Sequence, residues 1–135
     1  MRTKEEICQI ISDFYEVLKD AKSDISICSA TVNEADKAFG DIRHFCEFNY
    51  PTDRKMRTKI CRLIYEYSKE RRVAKDLIDI LTPLANGYDN NSINRMGKIV
   101  NETKKALAKT EGRAYVPRVL NELFEEEQND NWFWR

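Results

Sequence analysis

The chain has 135 residues, which is room for one domain or for a long helical hairpin with a small appendage. With 41% hydrophobic and 34% charged residues, three prolines and four glycines, it reads as a folded, helix-rich chain and not a disordered one. The formal net charge is zero, so whole-chain electrostatics gives no reason to expect a nucleic-acid polymer or a membrane surface as partner.

No apolar run approaches the roughly 18 residues of a membrane span. The opening Met1–Ile11 stretch carries charges where a secretion signal needs an unbroken apolar core. The expectation is a soluble, cytoplasmic protein.

Alternating steps of four and three from Ile7 reach Ile11, Phe14, Leu18, Ala21, Ile25, Cys28, Val32, Ala35, Phe39, Ile42 and Cys46 without meeting a polar residue. A mean repeat of 3.5 keeps one seam of a helix facing another helix. The pattern predicts a single helix on the order of 60 Å long, weakened only at Gly40. Pro51 then forces a turn over Glu47–Asp53, with Thr52 or Asp53 available to cap the next helix.

The second helix is expected from about Asp53 to Thr82, ended by Pro83. Its register is Met56, Ile60, Leu63, Tyr67, Glu70, Ala74, Leu77 and Leu81, broken only by Glu70. Two such helices on a short loop fold back as an antiparallel coiled-coil hairpin. The second is the shorter, at roughly 30 residues against roughly 44, so pairing back from the turn covers the first only to about Leu18. Ile7, Ile10, Ile11, Phe14 and Tyr15 are left for the C-terminal third or for another protomer, and homo-oligomerisation is expected.

Leu84–Asn94, with Asn86-Gly87 and a polar run after it, reads as a linker. A third helix carries Met96, Ile99, Val100, Thr103, Ala106 and Leu107 and closes at Gly112. Residues 113–116 read as extended, with room for a short strand, and Pro117 as the first residue of a short helix bearing Val119, Leu120, Leu123 and Phe124. The expected fold is mainly α: a helical hairpin and oligomerisation scaffold over 1–84, a small α or α+β ligand-binding subdomain over 85–127, and a tail over 128–135. That tail holds Trp132-Phe133-Trp134 and is either flexible or docked.

Candidate chemistry is sparse. His44 and Cys46 stand two apart on a helix, about 200° apart around it, and do not face each other. The four cysteines show no metal-ligand or disulfide spacing and are expected to be reduced and buried. No phosphate-loop, dinucleotide, metalloprotease or nucleophile-elbow motif occurs, which argues against an enzyme, and neither a metal nor a cofactor is expected.

Charge is more informative. Nine basic residues lie between Arg54 and Lys75, with Arg71-Arg72 the densest point, against only Glu66 and Glu70. They either complement an acidic first helix across the hairpin or form a face for an anionic ligand, where an arginine fork suits phosphate. The junction Arg113-Ala-Tyr115-Val-Pro117-Arg118 is the second place. A proline-led helix there would put Tyr115, Arg118 and free backbone N–H groups at an anion-attracting terminus, unless Arg118 pairs with Glu122.

Three blocks carry a family resemblance: Asp41-Ile-Arg-His44-Phe-Cys-Glu47-Phe-Asn49, Glu70-Arg71-Arg72-x-x-Lys75-Asp76, and Tyr115-x-Pro117-Arg118-Val119-Leu120-x-x-Leu123-Phe124. Together they resemble the phage type-one Thoeris anti-defence proteins. The resemblance implies a long-helical oligomer, from a homodimer up to a hexamer, acting in the host cytoplasm. Such a protein binds a cyclic ADP-ribose isomer made by bacterial immune enzymes, sequesters it without cleavage, and in some members also takes cyclic oligonucleotides.

By the same resemblance Arg118 is the ligand-binding arginine. Asn94-Arg95 matches the asparagine-containing segment before it, or Asn101 takes that place, and Tyr88 or Tyr115 stacks on the adenine. Arg113, Arg71 and Arg72 complete the candidate set. The rival expectation is a coiled-coil inhibitor or adaptor acting on a host protein.

Overall fold

The computed structural model describes residues 1–125. It contains α1 (Lys4–Phe48), α2 (Arg54–Gly87), α3 (Asn90–Glu111) and a single turn, α4 (Glu122–Glu125). Among the described residues there is no strand, so the fold is mainly α. Residues 113–116 are irregular, not extended in a sheet. The 128–135 tail and the acidic residues just before it lie outside the described residues. The helices cluster into two compact units: Val17–Asp89, and Met1–Glu16 together with the chain from Asn90 onward. This division cuts across the expected boundary at residues 84–85.

The Val17–Asp89 unit is a helical hairpin. α1 buries Leu18, Ala21, Cys28 and Ala35, all on the four-three register, and Ala74 is the buried residue of α2. Small residues at the seam let the helices approach closely, and Phe39 meets Tyr67 edge to face with centroids 6.5 Å apart. Asp53 is the cap of α2: its backbone is extended and its carboxylate accepts from the Lys55 N–H at 3.1 Å.

Two expectations for α2 are corrected. Pro83 does not end it; the helix runs on to Gly87, and only Tyr88 and Asp89 separate it from α3 in place of the expected 84–94 linker. A proline in a helix removes one donor, here the N–H that would reach the Asp79 carbonyl. The single lost bond is tolerated where Leu81, Leu84 and Ala85 remain partly buried. The seam also shifts. Half-buried or buried positions run Met56, Ile60, Leu63, Tyr67, Arg71, Ala74, Ile78, Leu81 and Ala85, while Glu70 and Leu77 are exposed. Two consecutive steps of four, Leu63 to Tyr67 to Arg71, make a stutter that passes Glu70 outward and brings Arg71 to the seam.

In the other unit, the first turns of α1 find their partner in the same chain. α3 presents Ile93, Met96, Val100, Thr103, Leu107 and Thr110 at steps of three and four, with Val100 4% exposed. It runs antiparallel to α1. Tyr15 lies on Gly97, the Cys8 thiol donates to the Thr103 carbonyl at 3.9 Å, and Lys4 donates to Thr110 Oγ1 at 3.3 Å. Of the two alternatives left open for the overhang, the C-terminal third is the one seen. α3 occupies the Lys4, Cys8, Ile11 and Tyr15 side, and Ile7 and Ile10 stay 43% and 51% exposed.

Candidate functional site

The residues best placed to act together lie on one flank of the hairpin. With Cys28, Val32 and Ala35 of α1 turned to α2, the 100° step per residue carries Ser29, Asn33 and Asp36 to one side of the seam. From α2, with Ala74 and Ile78 at the seam, Arg72, Lys75 and Asp79 fall on the same side. Of these, all but Asp36 line a groove of about 330 Å³ together with Val32 and Ile78.

The groove is two-signed. Arg72 and Lys75 supply donors, Ser29 and Asn33 neutral polar groups, and Asp79 one acceptor. Arg72 is largely exposed, and its guanidinium stands 3.9 Å from Asp76 one turn on, a spacing that leaves its donors available to a third group. Arg71, the residue before Arg72, is committed: its Nε donates to Asp36 Oδ1 at 2.8 Å across the hairpin. At this position the basic segment does pair with acidic α1.

The other candidates are placed as follows. Tyr88 is the half-buried C-cap residue of α2 and shares the hairpin unit with Arg71 and Arg72. Asn94, Arg95 and Asn101 are exposed on α3; Asn94 and Asn101, seven residues apart, share a face. Arg113, Tyr115 and Arg118 are exposed in the irregular segment after α3. Arg118 is not at a helix N-terminus. Pro117 opens no helix, and the four-residue α4 begins only at Glu122, so the anion-attracting terminus expected there is absent. The candidates therefore divide between the two units, Tyr88, Arg71 and Arg72 in one and the remaining six in the other.

His44 faces solvent with Glu47 at 3.1 Å, an i,i+3 pair on α1. All four cysteines are free; only Cys28 is buried, Cys8 and Cys46 are half-buried and Cys61 is exposed, which corrects the expectation of four buried thiols. Among the described residues no three His, Cys, Asp or Glu side chains cluster as a metal site, and no helix is long and apolar enough to cross a membrane. Ser29, Asn33 and Asp79 were not singled out from sequence. The signal was present in the register, since pairing α2 against α1 residue by residue puts them beside Arg72.

No protein-family model, curated protein or solved structure matches the chain.

Proposed function

We propose that the chain is a phage counter-defence protein that binds and sequesters a cyclic ADP-ribose-type immune signal without cleaving it. The observation that supports this reading is the hairpin groove, in which Arg72 and Lys75 converge with Ser29 and Asn33 over an aliphatic floor. Its volume falls at the low end of the roughly 300–1,000 Å³ of small-molecule sites. A cyclic nucleotide with a pyrophosphate needs cationic donors for the phosphates and neutral or acidic groups for ribose hydroxyls. The resemblance at Glu70-Arg71-Arg72 and Tyr115-x-Pro117-Arg118 adds the ligand class, with cyclic oligonucleotides as a further class.

Incubation of the purified protein with glycocyclic ADP-ribose, followed by heat denaturation, is expected to release the intact ligand. Arg72→Ala and Lys75→Ala each lower affinity at least about tenfold, the loss of about 1.4 kcal/mol that one charged phosphate contact commonly carries. Release of nothing, or of a cleaved product, sinks the proposal.

A second reading, a coiled-coil inhibitor or adaptor acting on a host protein, is favoured by the segment after α3. Val116, Val119, Leu120 and Leu123 are 77%, 83%, 51% and 60% exposed there, a concentration of apolar surface typical of protein contacts. Under that reading, counter-defence activity depends on Val119 and Leu120 and survives loss of Arg72 and Lys75.

A further inference from the structure

Over the first turns of α2 the charge has one sign. Arg54, Lys55, Arg57, Lys59 and Arg62 fall within one short run that holds no acidic residue, and all of them are exposed. Ion pairing does not absorb them. Arg62 stands 3.9 Å from Glu66, and the other four have no ion-pair partner among the described residues. Asp53 is spent in capping the helix, and Glu47 stands against His44. Arg54, Lys55 and Arg57 also occupy the first turn of α2, where the helix dipole is positive and no acidic side chain offsets them. Solvated surface charge is ordinary, but unpaired cations set against their own helix dipole form an arrangement that a bound anion relieves.

Aromatic rings share this surface. At 100° per residue, Arg54, Arg62, Tyr65 and Lys69 fall within an arc of about 80° on the side of α2 away from the Met56, Ile60, Leu63 and Tyr67 seam. Tyr65 is 65% exposed, with Lys69 Nζ 5.9 Å from the centre of its ring. Phe48 and Tyr50, at the hairpin turn, are 79% and 85% exposed.

We infer that this face of α2 takes a single strand of nucleic acid, with phosphates on the arginines and lysines and bases on the exposed rings. Guanidinium forks match phosphate, and an exposed ring stacks on any base whose face is open, as it is in a single strand and not in a duplex. An acidic protein would meet the cations and leave Tyr65 without a role. From Arg54 to Lys69 the face is about 22 Å long, room for a few nucleotides. The zero net charge of the chain does not oppose this, since the acids that balance the run lie outside it. The face uses none of Ser29, Asn33, Arg72 or Lys75, so the inference does not rest on the proposed cyclic signal.

Fluorescence anisotropy of a labelled oligothymidine of about twenty nucleotides, titrated with the full chain at about 50 mM salt, tests this. Binding is expected to weaken as salt rises with a log–log slope of about −3 to −4, about −0.7 for each phosphate neutralised. Arg54→Ala combined with Arg62→Ala is expected to reduce the slope by about 1.4 and to weaken binding at least about tenfold. Tyr65→Ala is expected to weaken binding about tenfold with the slope unchanged. Helical circular dichroism checks that the variants fold, and the salt slope of the wild type tests the inference without any substitution. No binding at low salt overturns it, as do a salt slope near zero, wild-type affinity in either folded variant, or equal affinity for a duplex of the same length. Displacement of the strand by polyglutamate at matched charge assigns the face to an acidic protein and overturns it as well.

Discussion

Arg71 reaches across the hairpin to Asp36 at 2.8 Å, from a position where the four-three repeat of α2 would otherwise place an apolar side chain. The pair is only partly shielded, with side chains 29% and 51% exposed, so water screens it and its net worth is small, about 0.2–1 kcal/mol. A double-mutant cycle with Arg71→Ala and Asp36→Ala is expected to return a coupling in that range, shrinking as salt rises. Arg71→Leu keeps the packing of the arginine stem and avoids holding a charge at the seam. It is expected to leave stability unchanged or to raise it by up to about 1 kcal/mol, read from urea midpoints.

Gly97 lets α3 approach α1. A Cβ there would sit 2.9 Å from the Tyr15 hydroxyl and 3.1 Å from its ring carbon. On an exposed helix, glycine to alanine gains about 1 kcal/mol. Here the tyrosine must move first, and Gly97→Ala is expected to be net destabilising by about 1 kcal/mol. Combined with Tyr15→Ala the same change becomes stabilising, and that reversal of sign in chemical denaturation identifies the clash as the cause.

Pro83 lies inside α2 and leaves the Asp79 carbonyl without its helical donor. Pro83→Ala restores that donor and is expected to stabilise the hairpin by about 1–3 kcal/mol, seen as a higher Tm. A drop in Tm would mean that the proline sets a bend the fold requires.

The four thiols differ in access. Cys61 is exposed on α2, Cys28 is buried in the seam, and Cys8 donates to the Thr103 carbonyl. A thiol reagent is expected to modify one cysteine rapidly in the native protein and all four after denaturation. Cys61→Ser removes the fast phase.

Much of the fold was legible in sequence because α1 is so regular. Its four buried residues are all on the seam register, and the reach of the shorter helix, estimated at about Leu18, meets the hairpin unit that begins at Val17. The failures share one cause. Local propensity alone breaks the chain at Pro83 and Asn86-Gly87 and starts a helix at Pro117, yet packing around Leu81 and Leu84 carries α2 past its proline, and too little burial after Glu111 leaves Pro117 with no helix to start. A strict heptad puts Glu70 at the seam, and a single stutter moves Arg71 there instead. The groove is hidden in the sequence for a related reason. Ser29 and Asn33 join Arg72 and Lys75 only once the pairing register across the hairpin is known.

Lys4 bonds to Thr110, a partner 106 residues away, whereas the hairpin closes on a turn of a few residues beside Pro51. The order of folding follows from this difference, since short loops close early and distant contacts wait for the chain that separates them. During synthesis the Val17–Asp89 hairpin can assemble as soon as its residues have emerged. The first turns of α1, made before the hairpin, stay unpartnered until α3 has followed it. Their apolar residues are the surface a newly made chain must keep apart from its neighbours for longest.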